Sequence, residues 1–183
     1  MKRTWSDHAP LPLRLMLGIG LAYHGFPKLF TAQGHDSFAG MLQGMGFPAA
    51  EPLAWAVGAF EFFGGLMLIA GAFTALIAAL GVIEMAVAMF MVHLPAGFNF
   101  MNITGTGPAG PTFGMPGYEV NLLYIAGFLA LVIGGAGALS VDRLRGEGEM
   151  FEPEPTPVRS REVPERAWSG EPRPGHEMAG RRG

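Results

Sequence analysis

The chain has 183 residues, half of them hydrophobic, with 28 Gly, 12 Met, no Cys and a formal charge of −3. Without cysteine it holds no disulfide, iron–sulfur cluster, thiolate zinc site or thiol redox pair of its own. The net charge averages two unlike regions, since residues 1–142 carry 11 charged side chains and the last 41 carry 16. It therefore points to no partner by itself, and no nucleic-acid partner is expected.

Lys2 and Arg3 precede an apolar run, as in a signal peptide. Asp7, Arg14 and Lys28 and the lack of a clean small-residue cleavage site fit an uncleaved first span instead. Four apolar stretches follow, at about Leu11–Phe30, Pro52–Gly71, Thr74–Leu94 and Glu119–Leu139. Each is near the roughly 20 residues that a membrane-spanning helix needs. The fold class expected is all-α, a polytopic membrane protein with a four-transmembrane-helix bundle over residues 1–142.

Lys2, Arg3 and Arg14 lie before or early in the first span, and Arg143 and Arg145 follow the fourth. The excess of positive residues there places both termini in the cytoplasm, with loops Thr31–Glu51 and Pro95–Tyr118 facing outward. In the first loop, Asp36 or Ser37 is expected to cap a short interfacial helix carrying Phe38, Met41 and Leu42 on one side. The second loop is rich in Gly and Pro and has no charge before Glu119. A loop of that length without regular structure is either functional or an apolar loop resting on lipid headgroups. From Arg143 onward the chain has six Pro, six Gly, eight basic and eight acidic residues, and a disordered cytoplasmic tail over residues 143–183 is expected.

Between Pro52 and His93 the only charged side chains are Glu61 and Glu84. A carboxylate at the centre of a bilayer costs roughly 2.5 kcal/mol or more. With a helical rise of 1.5 Å per residue, both sit ~13 Å in from the same outer face, and His24 ~9 Å in. On the first span Arg14, Gly18, Leu21, Gly25 and Lys28 share a face, with His24 on its flank. Gly58 and Gly65 flank Glu61, and Gly81 and Ala88 flank Glu84, small residues that turn each carboxylate toward the bundle interior.

Glu61 and Glu84 either hold helices together or form an active polar pocket, and the residues alone leave both readings open. His93, at the end of the third span, is either an interfacial cap or a ligand or proton carrier. Lys28 is expected to snorkel to the surface in preference to a buried ion pair. Arg14 and Asp142, at cytoplasmic helix ends, are expected to form a structural salt bridge. Asn99 and Asn102 are expected to close the second loop by hydrogen bonds. No phosphate loop and no HExxH or paired-cysteine spacing exists, and no metal site is expected.

The order of these residues resembles the DoxX family of bacterial integral membrane proteins over about Arg14 to Asp142. The resemblance rests on Arg14-x3-Gly18 and His24-Gly25-x2-Lys28-Leu29 in the first span, and on Glu61-x2-Gly64-Gly65 with Gly71 in the second. It continues through Ala88, His93-x3-Gly97-Phe98 and Phe100-Met101-Asn102. It closes on Gly117-Tyr118-Glu119-x-Asn121-Leu122-Leu123 and Gly135-x-Gly137-x2-Ser140-x-Asp142. Two positions depart from the family pattern: Thr74 or Ala75 stands where a basic residue is common, and Ala138-Leu139 where a basic or aromatic pair is common.

The resemblance implies a multi-pass protein of the bacterial cytoplasmic (inner) membrane, a subunit linked to quinone-dependent oxidoreductases. Whether this chain is itself an enzyme stays open. On that reading Glu61, His24, Lys28 and Glu84 are the candidates for catalytic proton handling. His93, Glu119 and Asn121 are the candidates for binding a cofactor, for which a quinone is the expectation. Expected partners are membrane lipid, a soluble redox enzyme and a second copy of the chain. The alternatives are a proton-coupled small-molecule carrier and a non-catalytic membrane scaffold for soluble redox enzymes.

Overall fold

A computed structural model describes residues 5–146. The expected tail beyond Gly146, including Trp168, lies outside the described residues. A 3-10 turn at Trp5–His8 leads into helix α1 (Pro10–Phe30), followed by α2 (Ala32–Gly44), α3 (Ala50–Ala70) and α4 (Thr74–Ala88). A π-helical turn (Met89–His93) and a 3-10 turn (Leu94–Ala96) extend α4. Then come strands β1 (Ile103–Gly107) and β2 (Gly110–Phe113), helix α5 (Glu119–Gly134) and a short α6 (Val141–Leu144). The helices match the four apolar stretches closely at their starts. The differences lie at ends and in loops.

Pro10 opens α1 where a missing N–H costs nothing. Thr31, in extended conformation, separates α1 from α2, and its hydroxyl accepts from the Gly34 amide. The cap of α2 is thus Thr31, and Asp36 and Ser37 lie inside the helix. The sequence offered two capping residues in the right place for a shorter helix, and the earlier threonine won because α1 ends directly beside it. Gly71 takes φ +69 at the end of α3, and Phe73 takes φ +51 just before α4. Those two left-handed residues make the tight α3–α4 hairpin.

The second loop departs most from expectation. It holds a two-stranded antiparallel hairpin, with Ile103 opposite Phe113 and Gly107 opposite Gly110 and an irregularity at Thr104. The all-α class therefore carries one small β element. The fourth helix also stops early, at Gly134 rather than Leu139. Gly135 and Gly137, at φ +69 and +78, turn the backbone out of the helix. At 16 residues α5 is ~24 Å long, short of a ~30 Å hydrocarbon core.

Packing follows the small residues. The most extensive helix pair is α1 with α3, then α4 with α5. A Cβ on Gly18 would come within 2.6 Å of the Gly65 carbonyl oxygen, so the α1 and α3 backbones touch where these glycines cross. At Gly81 a Cβ would meet the Phe128 ring at 2.8 Å, which lets α5 approach α4. Leu17, Leu21, Leu68, Ile77, Ala78, Phe128 and Leu131 form the main core, and Ala39, Leu42 and Ala54 a second one under α2.

Helices α3 and α4 with its extension (Ala50–Ala70 and Thr74–Ala96) are long and apolar enough to cross a membrane. The outside of the bundle is apolar as well: Met16, Ile19, Leu76, Ile83, Leu123 and Ile133 are each more than half exposed. A water-facing surface seldom carries that much hydrocarbon, whereas a lipid-facing one is made of it.

Candidate functional site

Lys28 lies in the last turn of α1, just past the internal Pro27. Its ammonium sits 2.5 Å from both carboxylate oxygens of Glu61 on α3. Both side chains are largely buried, Lys28 at 16% and Glu61 at 7% exposure. The expected snorkelling of Lys28 is therefore overturned. Two neighbours explain why. Gly58, one turn before Glu61, leaves room for the lysine stem, since a Cβ there would sit 3.0 Å from Lys28 Cβ. Above it, the Phe38 ring of α2 covers the ammonium at 4.1 Å. Helix α2 thus covers most of the route by which the lysine would reach water.

Glu84 of α4 comes up beside Glu61 and within electrostatic reach of Lys28. Among the described residues, no donor reaches either of its buried carboxylate oxygens, and the neighbouring carboxylate of Glu61 is within hydrogen-bonding reach once one of the two carries a proton. Asn121, near the start of α5, is itself buried and donates from Nδ2 to the carbonyl of Met85 at 3.5 Å, the residue after Glu84. Its Oδ1 is buried and unpartnered too. Four helices therefore bring one cation, two carboxylates and one amide to the same region. Among the described residues, three acceptor atoms there lack donors.

The other sequence candidates go elsewhere. His24 is exposed on α1, edge-on to Tyr23. The α1–α3 contact uses Gly25, whose Cβ position would fall 2.8 Å from Glu61 Cβ, and His24 points about 100° away from it. His24 thus stands outside the cluster. His93 donates from Nδ1 to the Pro116 carbonyl at 2.8 Å, and Glu119 Oε2 accepts from the Phe100 amide at 3.0 Å. Both tie the second loop to the ends of α4 and α5. Asn102 closes the same loop, donating to the Met115 carbonyl at 3.0 Å.

The expected Arg14–Asp142 salt bridge is replaced by two backbone locks. Arg14, 1% exposed, donates to the carbonyls of Ala136 (2.5 Å) and Leu139 (2.6 Å). Asp142 accepts from the amides of Phe73 (2.7 Å) and Thr74 (2.8 Å), capping α4. Helix ends and turns present unpaired backbone groups, and each charge satisfied those in preference to the other. A side chain on Gly71 would strike the Arg14 guanidinium, which explains a glycine there beyond its positive φ.

His35 was missed from the sequence. It is buried, with Nδ1 3.1 Å from the Lys28 carbonyl, Nε2 2.9 Å from Glu51 Oε1, and its ring stacked on Trp55 at 4.0 Å. The signal was present: His35, Ala39 and Leu42 recur at i, i+4 and i+7, the inward stripe of a helix. Two surface grooves of about 540 and 560 Å³ lie away from the Lys28 cluster. The first runs along α2 and the start of α3, the second along the outer face of α4 beside Phe47.

The family model for DoxX matches residues 9–94, which span α1 to the end of the π turn. A protein of Haemophilus influenzae described as uncharacterized is 30% identical over 131 residues, covering 71% of this chain and 85% of that protein. No solved structure matches the chain. The matched segment contains Arg14, Lys28, Glu61 and Glu84 together with the glycines that pack α1 on α3. The chain belongs to the DoxX family of membrane proteins.

Proposed function

We propose that this DoxX protein is a four-span subunit of the bacterial cytoplasmic membrane, with both termini in the cytoplasm, serving a quinone-linked redox system. Its Lys28–Glu61–Glu84 cluster moves the protons that accompany reduction or oxidation of a quinone-like carrier. The observation that carries this reading is the buried Lys28–Glu61 pair with the unpartnered Glu84 carboxylate beside it. One ammonium balances one carboxylate. The second carboxylate therefore needs a proton or another donor to rest in that surrounding. Groups arranged so are suited to taking up and releasing a proton.

Asn121 adds an amide close by, suited to orient a carbonyl or hydroxyl of the carrier. His93 and Glu119 act by holding the loop over α4 and α5, and a soluble redox enzyme or a second copy of the chain completes the system. A scaffold role for soluble redox enzymes is the second reading. It draws on the closure of the Lys28–Glu61 pair and on the position of both grooves away from it.

The test is purification of the full chain in native lipid, with extraction and identification of quinones and partner proteins. Co-purifying quinone, lost from folded Glu84→Gln protein, supports the proton-handling reading. Folded wild-type protein without quinone and without quinone-dependent turnover beside its partners defeats it. Loss of accumulation in Glu61→Gln with unchanged partner capture favours the scaffold.

A further inference from the structure

The segment between α4 and α5 exposes far more large apolar side chains than a loop in water does. Residues 94–118 carry no charged side chain. Its backbone groups bond to one another and tie it together: Gly114 donates to the Asn102 carbonyl at 2.8 Å, Gly117 to Asn99 and Tyr118 to Gly97 at 3.0 Å each. Its large apolar side chains turn outward. Phe98, Phe100, Met101, Ile103, Phe113 and Met115 are each more than half exposed.

On the hairpin the two kinds of residue are sorted by face. Ile103 and Phe113 stand opposite each other, while Thr104 reaches Thr112 by a hydroxyl contact of 3.4 Å. The apolar exposure is also continuous along the chain with Phe90, Met91 and Leu94 before it and Leu122 and Leu123 after it. Those residues belong to the apolar outer faces of the π and 3-10 extension of α4 and of α5.

We infer that the β1–β2 hairpin lies in the membrane interface, with Ile103 and Phe113 inserted among lipid chains beside the ends of α4 and α5. Lipid is the occupant the features favour. The segment has no charge with which to recognise a charged protein surface. Its strands are short, and Pro111 in β2 cannot donate to an added strand. Strand-edge groups left unpaired by a two-stranded sheet need water or headgroups within reach, which fixes the depth at the interface and not in the hydrocarbon centre. Apolar and aromatic side chains at that level act as an anchor.

The chain has no cysteine, so a single introduced thiol is a unique labelling site. Phe113→Cys, Ile103→Cys and Thr112→Cys would each be made in the full chain, nitroxide-labelled and reconstituted in phosphatidylcholine bilayers. Accessibility to oxygen, which concentrates in lipid, is then compared with accessibility to an aqueous nickel chelate. The expected result is a severalfold preference for oxygen at positions 103 and 113, and a clearly lower one at 112. Equal or greater exposure to the nickel chelate at both 103 and 113 overturns the inference. So does protection of both sites from both reagents, which would mean that protein covers this face. Two independent reporter positions keep the test decisive if one variant fails to fold.

Discussion

The bundle buries charge at both ends of α1, and the two ends are built differently. At Arg14 and Asp142 the charges meet backbone: carbonyls of Ala136 and Leu139 on one side, amides of Phe73 and Thr74 on the other. Roughly 20 Å along the helix, at Lys28, charges meet charges, and Glu84 is left with two unpartnered oxygens. The first end is close to satisfied, with Arg14 Nε and the Thr74 hydroxyl as its remaining buried atoms without partners among the described residues. Burial of charge therefore does not by itself mark a working site. A charge spent on helix ends and turns is a lock, and a surplus carboxylate with nothing to bind is the feature that calls for chemistry.

The comparison is open to direct attack by substitution, read as unfolding free energy of the reconstituted protein. Glu61→Ala strands the Lys28 ammonium and should cost about 3–5 kcal/mol. The double variant Lys28→Met, Glu61→Leu should recover most of that loss, because an apolar pair of similar volume replaces a buried ion pair at little cost. If the double variant is as unstable as Glu61→Ala, the pair does more for packing than charge balance explains.

Arg14→Met removes two charge-assisted hydrogen bonds to the Ala136 and Leu139 carbonyls, and a loss of about 3 kcal/mol is expected. Asp142→Ala uncaps α4 and should cost about 1–2 kcal/mol. On the proposed redox reading, neither change should alter quinone content per folded molecule, which separates a lock from a site. Glu84→Gln keeps a hydrogen-bond donor beside Glu61 and should cost clearly less stability than Glu61→Ala, while on the proposed redox reading abolishing proton-linked activity. A large destabilisation by Glu84→Gln would return Glu84 to the structural class. His24→Ala, on the outer flank of α1, should fall within about 0.5 kcal/mol of wild type and leave activity intact.

Depth along a helix was legible in the sequence, because rise per residue is constant. Glu61 and Glu84 were thus placed at one level, with Lys28 on the facing stripe of α1. Facing was less legible. One residue is 100° of rotation, so Gly25 lies in the α1–α3 crossing while His24 beside it turns away. Partner choice was not legible at all. Arg14 and Asp142 are complementary charges at neighbouring helix ends, yet each found backbone groups whose position depends on the turns at Gly71 and Gly135. His35 escaped notice because one buried histidine in a small amphipathic helix resembles a surface one until α3 supplies Glu51 and Trp55. The hairpin between β1 and β2 escaped because Gly and Pro hide the alternation by which strands are read.

Composition and periodicity by themselves settled that residues 1–142 are mainly helical and apolar, that the charges there are few, and that no thiol chemistry is available to the chain. These are local properties, decided by which side chains follow one another. Tertiary structure alone decided which charges became locks and which became a surplus. That choice depends on where unpaired backbone groups end up and on whether another element, here Phe38 of α2 over Lys28, seals a side chain away from water.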